Sequence, residues 1–375
     1  MWKLAALAFY LNGSHDGDVS SFQGLSQYNR FRFTRPGPAF KSAIWMYRAN
    51  HGQWNTGWNN RDQGTTSSRA LQLDALIDGE SQRQFGRVVI GGFLEATLHG
   101  NTAYQAMFRD HRAAGDWLPP TMYLTRYADA NTRLLATFDE DVDVTTGSLP
   151  GVRISAESLS TWKENDTPSR SRNTTFRSNA VTLGWNNAPV GPDTVTPRWP
   201  ARLTLVMTDS MRATLPLDTT HALVITVGTS TAKPGPRKVP RDTTKRPADS
   251  AAATPRAKAA ATPKKPAVVD STPPDFSLEL EDAAGRTARV PLSAFGPVRR
   301  PIESYIYRRR GRDTSQFAAL AEGVMYTYVA PLGAFSRANA VLDLASVRAV
   351  RLVFDRTRSG TVTVDDVGFT RGGGR

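Results

Sequence analysis

Two short runs hold the side chains best suited to moving protons: Gly13-Ser14-His15-Asp16-Gly17-Asp18-Val19 and Ala49-Asn50-His51-Gly52-Gln53. An imidazole accepts and returns a proton near neutral pH, and a buried carboxylate on its other nitrogen fixes the tautomer and stabilises the imidazolium. Two acids compete for that place. The G-x-x-D pattern favours Asp16, with Asp18 capping the turn that follows. The missing part is a nucleophile, without which the histidine has no proton to remove. Ser14, Ser20 and Ser21 lie on the acid run itself, too close in sequence to Asp16 to occupy a separate turn, and read as turn residues. Gln53, Trp54 and Trp58 follow the histidine and either line a pocket or pack.

The elements that must position these residues are legible around them. Residues 4–12 are a continuous apolar run ending in a glycine turn, and residues 41–47 form a second run ending near Asn50. Both read as buried parallel strands, each delivering one motif at its carboxyl end. Leu73, Leu76 and Ile77, then Val88, Val89, Phe93, Leu94 and Leu98, recur at helical spacing, with a break at Asp78-Gly79-Glu80. A further short helix is expected over 101–113, and Trp117-Leu118-Pro119-Pro120 closes the unit. The start, Met1-Trp2-Lys3 before an apolar stretch, resembles a short signal peptide, but that stretch runs straight into the acid run, and a core strand is the expectation. Two parallel strands cannot cover both faces or satisfy both edges, so residues 1–125 need something to complete them.

The two motifs, with Trp54 and Asn55 extending the second, resemble the α/β-hydrolases, in particular their esterase and acetylhydrolase branch. The resemblance covers about residues 1–125. It implies that Asp16 is the triad acid and His51 the general base, each just past one of two consecutive strands. In that family the order is Ser, acid, His, with the Ser on a G-x-S-x-G elbow. No G-x-S-x-G occurs in this sequence. The resemblance therefore implies the C-terminal portion of a serine ester hydrolase, inactive alone and acting on an ester only if completed by a nucleophile and oxyanion donors from elsewhere.

After Tyr123 the pattern changes to short alternating runs punctuated by Gly, Pro, Asn and Asp. Strands are expected at 152–156, 180–185, 202–207, 221–227, 276–281, 288–292, 325–329, 350–354 and 361–365, a count that argues for an all-β sandwich over 126–231 and 275–372. Ile154 to Glu164, the run from Ala180 to Trp185 and the closing run from Val353 to Phe369 resemble a galactose-binding-like jelly roll. That resemblance implies a sugar ligand or simple packing on a companion domain, and makes a non-catalytic carbohydrate- or partner-binding protein the alternative reading. Trp162, Trp185 and Trp199 are the aromatic candidates for stacking on a sugar ring, although a sandwich core uses the same residues. Glu157 and Asp366, near the first and last strands, are candidate oxygen ligands for a structural calcium, against the plainer reading of turn carboxylates.

Charge sharpens the picture. The chain has 375 residues and a formal net charge of +13, and ten basic residues against three acidic ones fall between Ala232 and Asp270. That segment, 232–274, is otherwise Pro, Ala, Thr and Ser, and reads as a disordered basic loop within one sandwich. It contains no aromatic residue on which a base could stack, which argues against nucleic acid as a partner. With no cysteine in the chain, disulfides, thiol catalysis and Cys-bound zinc are excluded, and no His-based metal spacing appears. No apolar run reaches the ~20 residues of a membrane span. Nothing in the sequence fixes the compartment.

Overall fold

The computed structural model describes residues 8–58, 60–62, 70–172, 174–187, 200–230, 232–235 and 272–372. Strand β1 (Ala8–Gly13) runs parallel to β2 (Phe40–Met46), with Ala8 opposite Lys41 and Gly13 opposite Met46. The far edge of β2 carries β3 (Tyr123–Asp129), which is antiparallel. All seven residues of β2 are buried, as a strand covered on both faces requires.

One face of this sheet lies under two helices. Phe85 and Val89 of α2 (Gly79–Thr97) pack with Phe40, Ile44 and Met46, and the shorter α3 (Gln105–Arg109) adds Met107 and Phe108. Asp78 starts α2 by accepting a hydrogen bond from Ser81 N at 2.9 Å, so the expected break becomes a helix cap. The other face is closed by Leu25 and Tyr28 of α1 (Gly24–Arg30), packed with Ala43, Trp45, Leu124 and, from the second half of the chain, Phe176. What completes the small sheet on this side is therefore the sandwich itself.

That sandwich has two antiparallel sheets. The first orders β11 (Thr287–Pro291), β10 (Ser277–Asp282), β13 (Val347–Phe354), β8 (Ala201–Met207) and β5 (Val152–Glu157). The second orders β12 (Tyr326–Pro331), β9 (His221–Thr229), β14 (Ser359–Arg371), β7 (Thr175–Asn186) and β6 (Thr161–Pro168), with β4 (Arg133–Ala136) joining β14 from the side. Alternate residues such as Leu183, Leu203, Ile225, Leu280, Leu352 and Val364 meet between the sheets in one continuous core. All nine strands expected from the sequence are present.

Three strands were not expected: β3, β4 and β6. The fold class needs a correction as well. Among the described residues the first unit is a three-stranded mixed sheet, welded to the sandwich, and does not make up an α/β-hydrolase sheet. β3 crosses the position at which the sequence was divided, because its pairing with β2 outlasts the change in pattern at Tyr123. The expected disordered loop lies largely outside the described residues, as do residues 1–7 of the signal-peptide-like start. No helix among the described residues is long and apolar enough to cross a membrane.

The weld is polar at its centre. Arg126 on β3 donates through Nη2 to Asp365 Oδ2 at 2.9 Å and Asp366 Oδ2 at 2.6 Å on β14. Glu322 accepts from Trp45 Nε1 at 3.0 Å and from Ser21 Oγ at 3.0 Å, bridging the acid-run side of the small sheet to the sandwich. Thr370 donates to Asp129 Oδ1 at 3.0 Å, and Tyr127 N to Thr327 Oγ1 at 3.2 Å. Arg126 and its two carboxylates offset one another, as buried charges must in a low-dielectric seam.

Candidate functional site

The parallel pairing of β1 and β2 ends both strands at one edge of the sheet, where the chain turns into the acid loop and the histidine loop. The loops are sewn together through the backbone, His15 N donating to Ala49 O at 2.8 Å and Ser14 N to Met46 O at 3.0 Å. Gly13 is required for this approach: a Cβ there would stand 2.5 Å from Ala49 O.

On that frame the carboxylate of Asp16 sits 3.0 Å from His51, Oδ2 to Nδ1. Asp16 Oδ1 accepts from the backbone N–H groups of Asp18 at 2.9 Å and Val19 at 2.7 Å, closing the turn and fixing the carboxylate plane. Asp18 falls on the other side of the ring, its Oδ2 3.8 Å from Nε2. Sequence left Asp16 and Asp18 as competitors; the structure gives them different nitrogens of one imidazole. The hydrogen bond to Asp16 outweighs partial burial and raises the His51 pKa, with the charges of Asp16, Asp18 and Asp62 acting in the same direction. His51 keeps 31% of its side chain exposed, against 6% for Asp16. The Trp58 ring lies 5.8 Å from the imidazole, while Trp54 packs on Phe85. Gln53 is buried and donates to Asn60 Oδ1 at 2.7 Å.

Ser14 and Ser21 are both engaged elsewhere. Ser14 is buried, its Oγ 2.6 Å from His15 Nδ1 and accepting from Arg48 N at 2.7 Å. Burial holds that second histidine largely neutral, its pKa pushed down to about 4. Ser21 is committed to Glu322 and to Ser169 Oγ at 2.8 Å.

Sequence reasoning missed two residues that the site depends on. Asp62, 1% exposed, accepts from Asn50 Nδ2 at 2.7 Å, Gly52 N at 3.0 Å and Gly17 N at 2.6 Å. Gln82 of α2, fully buried, accepts from Asn50 N at 3.1 Å and donates to Asn50 O at 2.7 Å. The one signal was Gln82 itself, a polar residue on the buried stripe of α2; nothing around Asp62 in the chain marks it.

The calcium pair is not brought together. Glu157 ends β5 in the five-stranded sheet and accepts from Arg202 at 2.7 Å, whereas Asp366 lies on β14 in the other sheet, paired with Arg126. Among the described residues no group of three or more His, Cys, Asp or Glu side chains could hold a metal ion. The aromatic candidates also part company. Trp185 is in the core, its ring 4.5 Å from that of Phe354 and its Nε1 donating to Thr357 O at 2.9 Å, so it offers no face to a sugar. Trp162 is half-buried against the same core. Trp199 lies outside the described residues.

No protein-family model matches the sequence, and no curated protein matches it. Solved structures align with it weakly. A family 30 carbohydrate-binding module has 10% identity over 57% of this chain and 76% of its own, with a TM-score of 0.29. The family 11 module of a cellulosomal cellulase of Clostridium thermocellum has 8% identity over 64% and 94%, with a TM-score of 0.29. The protein SGBP-B from a xyloglucan utilization locus in Bacteroides uniformis has 9% identity over 66% and 52%, with a TM-score of 0.30.

Proposed function

We propose that the first unit presents the acid and the base of an ester-hydrolase site, Asp16 orienting His51, with the nucleophile supplied from outside the described residues. The observation that supports this is the 3.0 Å contact between Asp16 Oδ2 and His51 Nδ1 at the shared carboxyl edge of two parallel strands. With Nδ1 held by the acid, Nε2 is the nitrogen that takes the proton of an attacking hydroxyl and returns it to the departing alkoxide. The raised pKa makes His51 a stronger base, and the neighbouring Asp18 carboxylate favours the imidazolium once it forms. The chain alone then has no turnover on esters. Co-expression with the polypeptide encoded immediately upstream of the Met1 codon tests the reading. A G-x-S-x-G segment there, giving hydrolysis of p-nitrophenyl acetate that His51→Ala lowers by about a thousandfold, supports it. Absence of such a segment, or turnover indifferent to His51, overturns it.

A second reading makes the protein a non-catalytic glycan or partner binder that works through the sandwich. A cavity of about 130 Å³ beside the six-stranded sheet favours it, lined by Pro301, Ala321 and Met325 with Thr229, Thr363 and Glu322 among them. A largely apolar lining with a few polar groups is the usual character of a small-molecule site. Retention of the full chain on immobilised polysaccharides, lost when Thr229→Trp fills the cavity, is the expected result, and failure to retain any polysaccharide removes this reading.

A further inference from the structure

We propose that Asp62 is a positioning residue for the acid–base pair, a single carboxylate that clamps the acid loop to the histidine loop and so sets the distance between Asp16 and His51. This rests on the reading of Asp16 and His51 as acid and base. The geometry is specific. Oδ2 of Asp62 accepts from the N–H of Gly17, the residue directly after the acid, at 2.6 Å. Oδ1 accepts from the N–H of Gly52, the residue directly after the base, at 3.0 Å, and from Asn50 Nδ2, directly before it, at 2.7 Å. One carboxylate thus joins the peptide units flanking both catalytic candidates, from a position 45 residues beyond Gly17 and 10 beyond Gly52.

Three features argue that this is more than loop packing. The group is 1% exposed, so an ionisable side chain has been taken out of water where an amide or hydroxyl would cost less. Its three donors converge on two oxygens, which a carboxylate satisfies and a neutral amide, with one accepting oxygen, does not. Gly17 is closely packed against the clamp: a Cβ there would lie 3.0 Å from Asp62 Oδ2 and 3.0 Å from Leu71 Cδ2. Burial raises the Asp62 pKa to about 6 while the Gly17 and Gly52 bonds oppose it, so the clamp is charged at neutral pH and weakens in mild acid. Among the described residues Asp16 and His51 act on its charge, and Asp16, Asp18 and Asp62 act on that of His51.

The test reads the His51 ring in the full chain by NMR: its titration and the downfield Nδ1–H resonance of a proton shared with Asp16. In Asp62→Asn the expected result is loss or broadening of the Nδ1–H signal and a His51 titration lowered by about half a pH unit. A folded Asp62→Asn variant with both readouts unchanged overturns the proposal, leaving Asp62 a structural residue only. Should Asp62→Asn fail to fold, Asn50→Ala removes one donor and keeps the charge; a weakened Nδ1–H signal supports the clamp and an unchanged one overturns it. Asp16→Asn is the control that separates this proposal from the reading beneath it. If Asp16→Asn leaves the His51 titration unmoved, the acid–base pair itself is refuted; if it moves the titration and Asp62→Asn does not, only the clamp is.

Discussion

Asp16 Oδ2 lies 3.0 Å from His51 Nδ1, while Asp18 Oδ2 lies 3.8 Å from His51 Nε2, so a single imidazole sits between two carboxylates two residues apart. The consequence for pH is definite in sign. The folded-state pKa of His51 is raised above the ordinary 6.5, chiefly by the Asp16 hydrogen bond. That pairing stabilises the fold fully below the unfolded pKa and loses its effect as pH rises through the folded value. Asp16→Asn should therefore lower stability more at about pH 5.5 than at about pH 9, measured as the gap between wild-type and variant urea unfolding free energies. An equal gap at both pH values would show that Asp16 does not bind the charged imidazole.

Gly13 offers a steric test of the same edge. An added Cβ would meet Ala49 O at 2.5 Å and Ala49 C at 2.7 Å, both backbone atoms of the histidine loop that cannot rotate away. Gly13→Ala should cost about 1–3 kcal/mol, read from the urea midpoint, and should also spread the loops that carry Asp16 and His51. Unchanged stability together with an unchanged His51 titration would mean that the two loops are not in contact in solution.

Asp16 and His51 were legible because each closes an apolar run whose strand delivers it to the sheet edge, and sequence reports such local order well. The partners that hold them were not. Asp62 reaches Gly17 across 45 residues, and nothing periodic surrounds it in the chain. Arg126 finds Asp365 across 239 residues, a pairing that only the folded seam creates. The sandwich strands alternate apolar and polar residues and were readable one by one. By contrast β6, Thr-Trp-Lys-Glu-Asn-Asp-Thr-Pro, sits at the sheet edge and lacks that alternation, and β4 is four residues long. The need for a partner on the small sheet was legible from its two parallel strands. That the partner is the following sandwich was not, because both units contribute ordinary core residues such as Trp45 and Phe176 to the join.

The seam between the units makes a prediction about cooperativity. Arg126 is 4% exposed and pairs with Asp365 and Asp366; burial, aided by the neighbouring Asp366 charge, holds the Asp365 pKa up at about 8 even though Arg126 opposes the shift. Arg126→Met leaves two carboxylates in the seam without their cation and should cost about 3–5 kcal/mol. The double variant Arg126→Met/Asp365→Asn should recover part of that loss, since one of the stranded charges is gone. Circular dichroism against urea should show one transition in the wild type and a separate early loss of the first unit in Arg126→Met. Two transitions in the wild type would mean that the seam does not couple the units.

The fate of the two described tryptophans separates core from candidate surface in the sandwich. Trp185 stacks on Phe354, donates to Thr357 O and closes over Gly360, where a Cβ would stand 2.5 Å from its ring. Trp185→Ala should accordingly cost about 3–5 kcal/mol in urea, and no ligand should quench its fluorescence without unfolding the protein. Trp162 packs only its inner side on that core, so Trp162→Ala should cost distinctly less. If the sandwich retains a polysaccharide in affinity electrophoresis, Trp162→Ala is the aromatic substitution of the two that can weaken retention while leaving the fold intact. Retention weakened by a folded Trp185 variant and indifferent to Trp162 would require the core to open on binding, against the continuous packing between the sheets.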